Sequence, residues 1–249
     1  MKRYIKKLLR ESLIREDDDI KQKLISLIKT GDEDKIELAY AIGEGQGINM
    51  DEFVKSEYGD LLDMVSGNTI KDKLIHITNL DQLYLANKGL TSLPENIGNL
   101  TKLKALYLGG NKLETLPESI GKLKNLYFLS LGINKLKSLP ESIRNLTNLN
   151  SLELGENQLT TLPDWIGKLT NLQVLTLSEN QLTTLPKSIG NLTNLNELWL
   201  NDNPISDEEK KRINKILPNT EIYYMDLTDE EWLEYQDRLE REYWLEQED

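Results

Sequence analysis

Residues 103–126 read LKALYLGGNKLETLPESIGKLKNL. This is one copy of a unit that returns every 23 residues. Its first leucine recurs as Leu80, Leu103, Leu126, Leu149, Leu172 and Leu195. Its second and third recur as Leu83/Leu85, Leu106/Leu108, Leu129/Leu131, Leu152/Leu154, Leu175/Leu177 and Leu198/Leu200. A fixed period in this range signals a stacked solenoid, because a single copy cannot bury its own apolar face and must lean on its neighbours.

Within each copy, L-x-x-L-x-L alternates and predicts a short strand with leucines inward and the x residues outward. An asparagine column follows at Asn111, Asn134, Asn157, Asn180 and Asn203, with Lys88 in its first place. An asparagine there can donate its amide hydrogens to carbonyls at a bend that no regular ladder serves. Leu-Pro comes next, at 93/94, 116/117, 139/140, 162/163 and 185/186. Proline fixes φ and lacks a donor, so this side turns or stays extended and holds no long helix. Ile97, Ile120, Ile143, Ile166 and Ile189 then point inward, each followed by glycine except at Arg144. A further column, Leu100, Leu123, Leu146, Leu169 and Leu192, closes the turn.

The composite pattern L-x-x-L-x-L-x-x-N-x-L…L-P-x-x-I-G-x-L resembles the leucine-rich repeat family, in the 23-residue form seen in bacterial and plant intracellular proteins. The likeness covers roughly residues 74–205. It implies an α/β fold: a leucine-rich repeat solenoid, or horseshoe, with a parallel β-sheet on its concave side. It also implies protein recognition as the usual role, with enzymatic activity, where present, in an attached domain. Some bacterial members carry a ubiquitin ligase domain that works through a cysteine; this chain has no cysteine, so that mechanism is excluded.

The flanks divide the rest. Residues 1–73 read as a helical N-terminal region capping the array. Ile5, Leu8, Leu9 and Leu13 share one face, and the Asp17-Asp18-Asp19 run suits a new helix start. Leu24, Ile25, Leu27 and Ile28 lead to a stop at Gly31. Asp32 is a candidate cap for a third helix over 32–47, and residues 49–65 hold a fourth. The Gly43, Gly45 and Gly47 cluster has no Lys-Ser/Thr after it and is not a phosphate loop. Residues 74–205 carry the repeats and six strands. Residues 206–225 form a C-terminal helical cap, opened by a capping-box pattern from Ser206 to Glu209 and closed by a last strand at 221–224. Residues 226–249 read as an acidic amphipathic helix after a second capping box at Thr228.

Composition narrows function by exclusion. Net charge is −12, a poor match to phosphate backbones, so nucleic acid is not an expected partner. Charge is uneven: residues 1–15 carry a net of +5 and residues 226–249 a net of −9. The absence of cysteine removes disulfides, thiolate metal sites and thiol nucleophiles. The single histidine, His76, has no partner group for a metal site or a nucleophile–base pair. No catalytic, cofactor-binding or metal-binding residue is assigned, and no cofactor. No apolar run reaches the length of a membrane span, and Arg10 and Glu11 break the apolar part of the N-terminal stretch too early for a signal peptide. A cytoplasmic monomer is the expected state.

The concave face is where function is expected. Its central column reads Tyr84, Tyr107, Ser130, Glu153, Thr176 and Trp199; the column before it includes Phe128 and Glu197; beyond the small residues Gly109, Gly132 and Gly155 lie Glu156, Glu179 and Asp202. Adjacent strands lie about 4.8 Å apart, so six span about 24 Å, one face of a small domain. Tyr107 and Phe128 should form one aromatic patch, while the carboxylates around Trp199 predict a protein partner with a basic patch. Two other readings are open: an effector or inhibitor whose acidic surface engages a basic target, and an adaptor acting through its terminal helices.

Overall fold

The computed structural model describes residues 17–225. The expected first helical face and the whole segment after residue 225, with its second capping box, lie outside the described residues. Helix α1 (Asp17–Ile28) carries the three aspartates at its first positions, where the exposed backbone N–H groups favour negative charge. Gly31 follows with φ of 62°. Helix α2 (Glu33–Gly45) is capped as expected: Asp32 Oδ1 accepts the Lys35 amide at 3.0 Å. Helix α3 (Met50–Tyr58) is capped by Asn49 and runs into a 3₁₀ turn at Gly59–Met64. Helix α4 (Ile70–Thr78) has a full capping box between Thr69 and Asp72 that the sequence reading had not singled out.

The repeats then build a sheet that, among the described residues, has seven parallel strands in chain order: β1 (Gln82–Tyr84), β2 (Ala105–Tyr107), β3 (Phe128–Ser130), β4 (Ser151–Glu153), β5 (Val174–Thr176), β6 (Glu197–Trp199) and β7 (Glu221–Tyr223). Each pairs with the next at a shift of 23 residues, except β6 with β7, where the shift is 24. After each Leu-Pro the chain makes one 3₁₀ turn, from Glu95–Asn99 through Lys187–Asn191. Proline sits as the residue before the turn with extended ψ, so its missing donor costs nothing.

The core is the column pattern made solid. Leu106, Leu129, Leu152, Leu175 and Leu198 are fully buried, and so are the isoleucines Ile97, Ile120, Ile143, Ile166 and Ile189. Burial of one such side chain contributes about 1.5–3 kcal/mol, and the repeat supplies several per turn. Val54, Tyr58, Leu61, Leu74 and Ile77 from the helices belong to the same continuous core as Ile97 and Leu100. Leu74 and Ile77 sit on α4, in the columns that later repeats fill from a 3₁₀ turn.

Two asparagine rows tie the copies together. In the first, Asn134 Nδ2 donates to the carbonyls of Leu108 and Leu131 at 3.0 Å, and its Oδ1 accepts the Leu113 amide at 3.0 Å. Asn157 and Asn180 repeat this geometry one and two copies on. At the edge, where Lys88 stands in the column, Asn111 Oδ1 serves the amides of both Lys88 and Leu90. The second row had no counterpart in the sequence reading. Asn125, Asn148, Asn171 and Asn194 each donate to a carbonyl of the preceding copy at 2.7–2.9 Å.

On the convex side, glycine after isoleucine is a packing requirement in three copies, though not at Gly190, where a Cβ would meet its nearest atom at 3.5 Å. A Cβ at Gly98, Gly121 or Gly167 would lie 2.3–2.4 Å from the carbonyl of Ser119, Ser142 or Ser188. Arg144 breaks the column, and the facing residue one copy on is Trp165 instead of serine. The 3₁₀ turns there pack less tightly than most of the other consecutive pairs.

The C-terminal cap departs from its expected chemistry. Ser206 does cap α5 (Asp207–Ile216), accepting the Glu209 amide at 3.3 Å. The Glu209 carboxylate does not return to the Ser206 amide. It accepts the Leu185 amide at 2.9 Å and pairs with Arg212 at 2.6 Å. A long-range backbone donor and a cation outcompete the local capping-box bond.

Candidate functional site

The strand register places the expected concave residues in straight rows. Tyr84, Tyr107, Ser130, Glu153, Thr176, Trp199 and Tyr223 follow one another across the sheet as direct register partners. Gln82, Ala105, Phe128, Ser151, Val174, Glu197 and Glu221 form the parallel row. On β1–β6 the leucine between them is buried, which turns the two rows to the other face by the two-residue alternation of a strand; on β7 the half-buried Ile222 takes the leucine's place, and Ala105 alone of the named residues is fully covered.

At the N-terminal end the aromatic patch is larger than expected. The Tyr84 and Tyr107 rings stack at 4.4 Å with planes 7° apart, and Phe128 continues the ladder at 5.0 Å and 38°. Tyr84 is 63% exposed. Its hydroxyl donates to Gln82 Oε1, which fixes the ring over its neighbour. Burial by these neighbours pushes the Tyr107 phenol pKa up, and Tyr84, Tyr127 and Glu153 push it the same way. Tyr107 is therefore a neutral hydrogen-bonding ring at neutral pH. Tyr127 also stands exposed here. It precedes the strand, where the x-L-x-L-x pattern does not look.

The C-terminal end carries a second aromatic pair. Trp199 stacks on Tyr223 at 3.9 Å and 14°. The indole Nε1 donates to Glu197 Oε2 at 3.2 Å, and the Tyr223 hydroxyl donates to Glu221 Oε2 at 2.7 Å. Each ring thus holds a carboxylate of its own strand beside it. Tyr223 and Glu221 were not among the expected site residues. The leucine signature stops before β7, although the strand itself was readable, and counting its alternation would have placed Tyr223 in the Trp199 row.

The rim beyond the small residues has a conformation that sequence did not reveal. Asn87, Gly110, Ile133, Glu156, Glu179 and Asp202 all have left-handed backbones, with φ between 51° and 69°. Asparagine, aspartate and glycine tolerate this, whereas a β-branched residue does so only under strain. Ile133 is also 56% exposed. Thr176 and Ser130 are half-buried in the central row.

The imidazole of His76 lies on α4, with Nδ1 3.1 Å from the Ser66 carbonyl, far in sequence from the concave carboxylates. Among the described residues no group of three or more His, Cys, Asp or Glu side chains is arranged to hold a metal ion. No described helix is long and apolar enough to cross a membrane.

Comparison with known proteins bears on these rows. A family model described as a leucine-rich repeat region matches residues 60–156 and again residues 126–232, together more than half of the 249 residues. No curated protein matches the chain closely enough to stand as a relative. Among solved structures, TLR13 in its complex with ssRNA13 is 30% identical, with a TM-score of 0.51 over 57% of this chain and 21% of that one. A leucine-rich repeat protein from Leptospira interrogans is 32% identical, with a TM-score of 0.30 over 61% of this chain and 56% of that one. An internalin from Listeria monocytogenes is 23% identical, with a TM-score of 0.45 over 65% and 52%. The chain thus spans only part of each of these structures. Matched by the family model across the whole span of strands, and built from copies of one strand, an asparagine bend and a Leu-Pro turn with departures only at the two ends, the chain belongs to the leucine-rich repeat family.

Proposed function

We propose that this chain is a non-enzymatic protein-binding module that takes its partner on the concave face of the sheet. The observation that supports this best is the row Tyr84, Tyr107, Ser130, Glu153, Thr176, Trp199, Tyr223, where side chains of hot-spot type face outward from a rigid array. Aromatic rings offer large contact area at small entropic cost, and carboxylates around them select a cationic surface. Phe128, Glu156, Glu179, Glu197 and Asp202 complete the contact set.

In this reading residues 1–73 and 206–225 cap the two ends of the array, the partner carries a basic patch, and the module works as a monomer in the cytoplasm without touching membrane. TLR13 is matched here in a complex with single-stranded RNA, but a phosphate backbone on this face would meet Glu153, Glu156 and Asp202, so protein is the favoured partner.

The test is affinity capture from the native source with the full chain, repeated with Tyr107→Ala/Phe128→Ala and with Trp199→Ala. Each variant should weaken capture of the same protein. Undiminished capture by both would sink the concave-face reading. Deleting residues 226–249 should leave capture intact; its loss would favour the acidic tail as the interaction unit. A labelled single-stranded RNA should show no shift at physiological salt.

A further inference from the structure

Going from β1 onward, the concave face first turns acidic between β3 and β4. On β1–β3 the outward residues are uncharged: an aromatic ladder of Tyr84, Tyr107 and Phe128 with Gln82 and Ser130 in the same rows, and Tyr127 and Ile133 exposed beside it. On β4 the first carboxylate enters the same row: Glu153 lies two strands beyond Tyr107 in direct register. Glu156, exposed on the rim, stands one copy beyond Ile133. Neither carboxylate forms an ion pair with a described residue. Two chemistries therefore sit side by side, separated by two strand spacings, or about 10 Å.

The surface between them is kept low. At Gly109, Gly132 and Gly155 an added Cβ would meet its nearest atom at 3.4, 3.4 and 3.6 Å. Packing does not demand glycine at these three places, in contrast to the convex column.

We infer that this boundary binds a polypeptide segment bearing an apolar or aromatic side chain on Tyr107 and Phe128 and a lysine or arginine on Glu153 and Glu156. The inference rests on the concave-face reading and narrows it to the N-terminal half. Charge complementarity fixes the cationic residue, since a neutral or acidic segment would leave Glu153 and Glu156 uncompensated as the interface dries. The aromatic ladder fixes the apolar one. A separation of about 10 Å corresponds to three residues of a polyproline-II chain, whose three-residue turn brings both side chains to one face, or to seven residues of helix. The segment therefore carries its apolar and basic residues three or seven apart, in either order.

The experiment is selection of displayed random twelve-residue peptides on the full chain, followed by affinity measurement with the enriched peptides as synthetic compounds. Enrichment of an apolar and a basic residue at one of those two spacings is expected. Affinity should fall about tenfold or more for Glu153→Gln/Glu156→Gln and for Tyr107→Ala/Phe128→Ala, and stay within about twofold for Trp199→Ala. Enrichment without a basic residue, indifference to Glu153→Gln/Glu156→Gln, or no enrichment at all would overturn the inference. Peptides that lose affinity only with Trp199→Ala would overturn it while leaving the concave face as the binding surface. Peptides indifferent to all three variants would overturn both.

Discussion

The carboxylate of Glu209 accepts the backbone amide of Leu185, 24 residues earlier in the chain, at 2.9 Å. Arg212 completes the clamp, pairing with Glu209 at 2.6 Å and donating to the Leu185 carbonyl. Both backbone polar groups of Leu185, its N–H and its C=O, are thus satisfied by the cap. Removing the acceptor leaves a part-buried amide and a cation unpaired, so Glu209→Ala should cost about 2–3 kcal/mol. Because solenoid stability is local, the loss should appear first at the C-terminal end. Hydrogen exchange would show this: the Leu185 amide should speed up before amides of β2 and β3. A uniform increase along the array would contradict the clamp.

The same clamp gives the cap a pH dependence of known sign. Arg212 first, and then the Leu185 amide, hold the Glu209 carboxyl below the usual carboxylate range. A depressed folded value means that the unfolded chain takes up the proton first as pH falls. The contribution is therefore full above the unfolded value of about 4.3 and is lost as pH drops through the folded one. Between pH 7 and 5 the cap should be unchanged; below about pH 4 the protection of the Leu185 amide, relative to its intrinsic exchange at the same pH, should fall in the natural protein. Glu209→Gln should remove most of that acid sensitivity.

Asn157 shows how much of the array depends on one side chain. It donates to Leu131 and Leu154 carbonyls and accepts the Leu136 amide, all within a site only 7% exposed. Asn157→Ala strips partners from backbone groups in two copies at once, and should cost about 3–4 kcal/mol. Asn203, at the last place of the row and only half-buried, leaves groups that water can reach. Asn203→Ala should therefore cost less than Asn157→Ala in chemical denaturation. Equal losses would mean that the row is not the stitch it resembles.

The first asparagine row was legible in the sequence because it follows directly on the strand signature; the second recurs as regularly, but its acceptors are carbonyls 24 residues earlier that only stacking brings into reach. Three other features were hidden for distinct reasons. Glu209 fits a local capping box, yet a donor 24 residues away holds it, and i,i+3 patterns cannot register such a partner. Tyr223 lies on a strand that the sequence shows, but without leucines the 23-residue count fails there by one, so only alternation along β7, not the repeat, places it beside Trp199. The left-handed rim is hidden because Asn87, Gly110, Glu156, Glu179 and Asp202 look like ordinary loop residues; only Ile133 contradicts the backbone it occupies. The aromatic ladder was partly visible as Tyr107 and Phe128, and Tyr84 joins them only once parallel pairing sets it beside Tyr107.

Two glycines in neighbouring copies should respond oppositely to the same change. At Gly121 a methyl group would lie 2.4 Å from the Ser142 carbonyl, a fixed backbone atom. Gly121→Ala must push two 3₁₀ turns apart and should cost about 2–3 kcal/mol. At Gly132 the nearest atom would be 3.4 Å away. Gly132→Ala should be neutral or stabilise by up to about 1 kcal/mol, through the unfolded chain's lost freedom. Urea midpoints of the two variants decide this, and a large loss at Gly132 would mean that its column is structural.

Ile133 combines two features that do not help folding: a β-branched side chain at φ of 55° and 56% exposure. Other copies place asparagine, glycine, glutamate or aspartate there. The left-handed conformation costs an L-residue about 1–2 kcal/mol, and asparagine recovers part of it. Ile133→Asn should therefore stabilise the array by about 0.5–1 kcal/mol, raising the thermal midpoint by about 1–4 °C. If the exposed isoleucine serves the concave face, the more stable variant should also bind its partner less well. A gain in stability with undiminished binding would assign Ile133 no part in recognition. A loss of stability would mean that its side chain contributes more to packing against the neighbouring copies than its backbone costs.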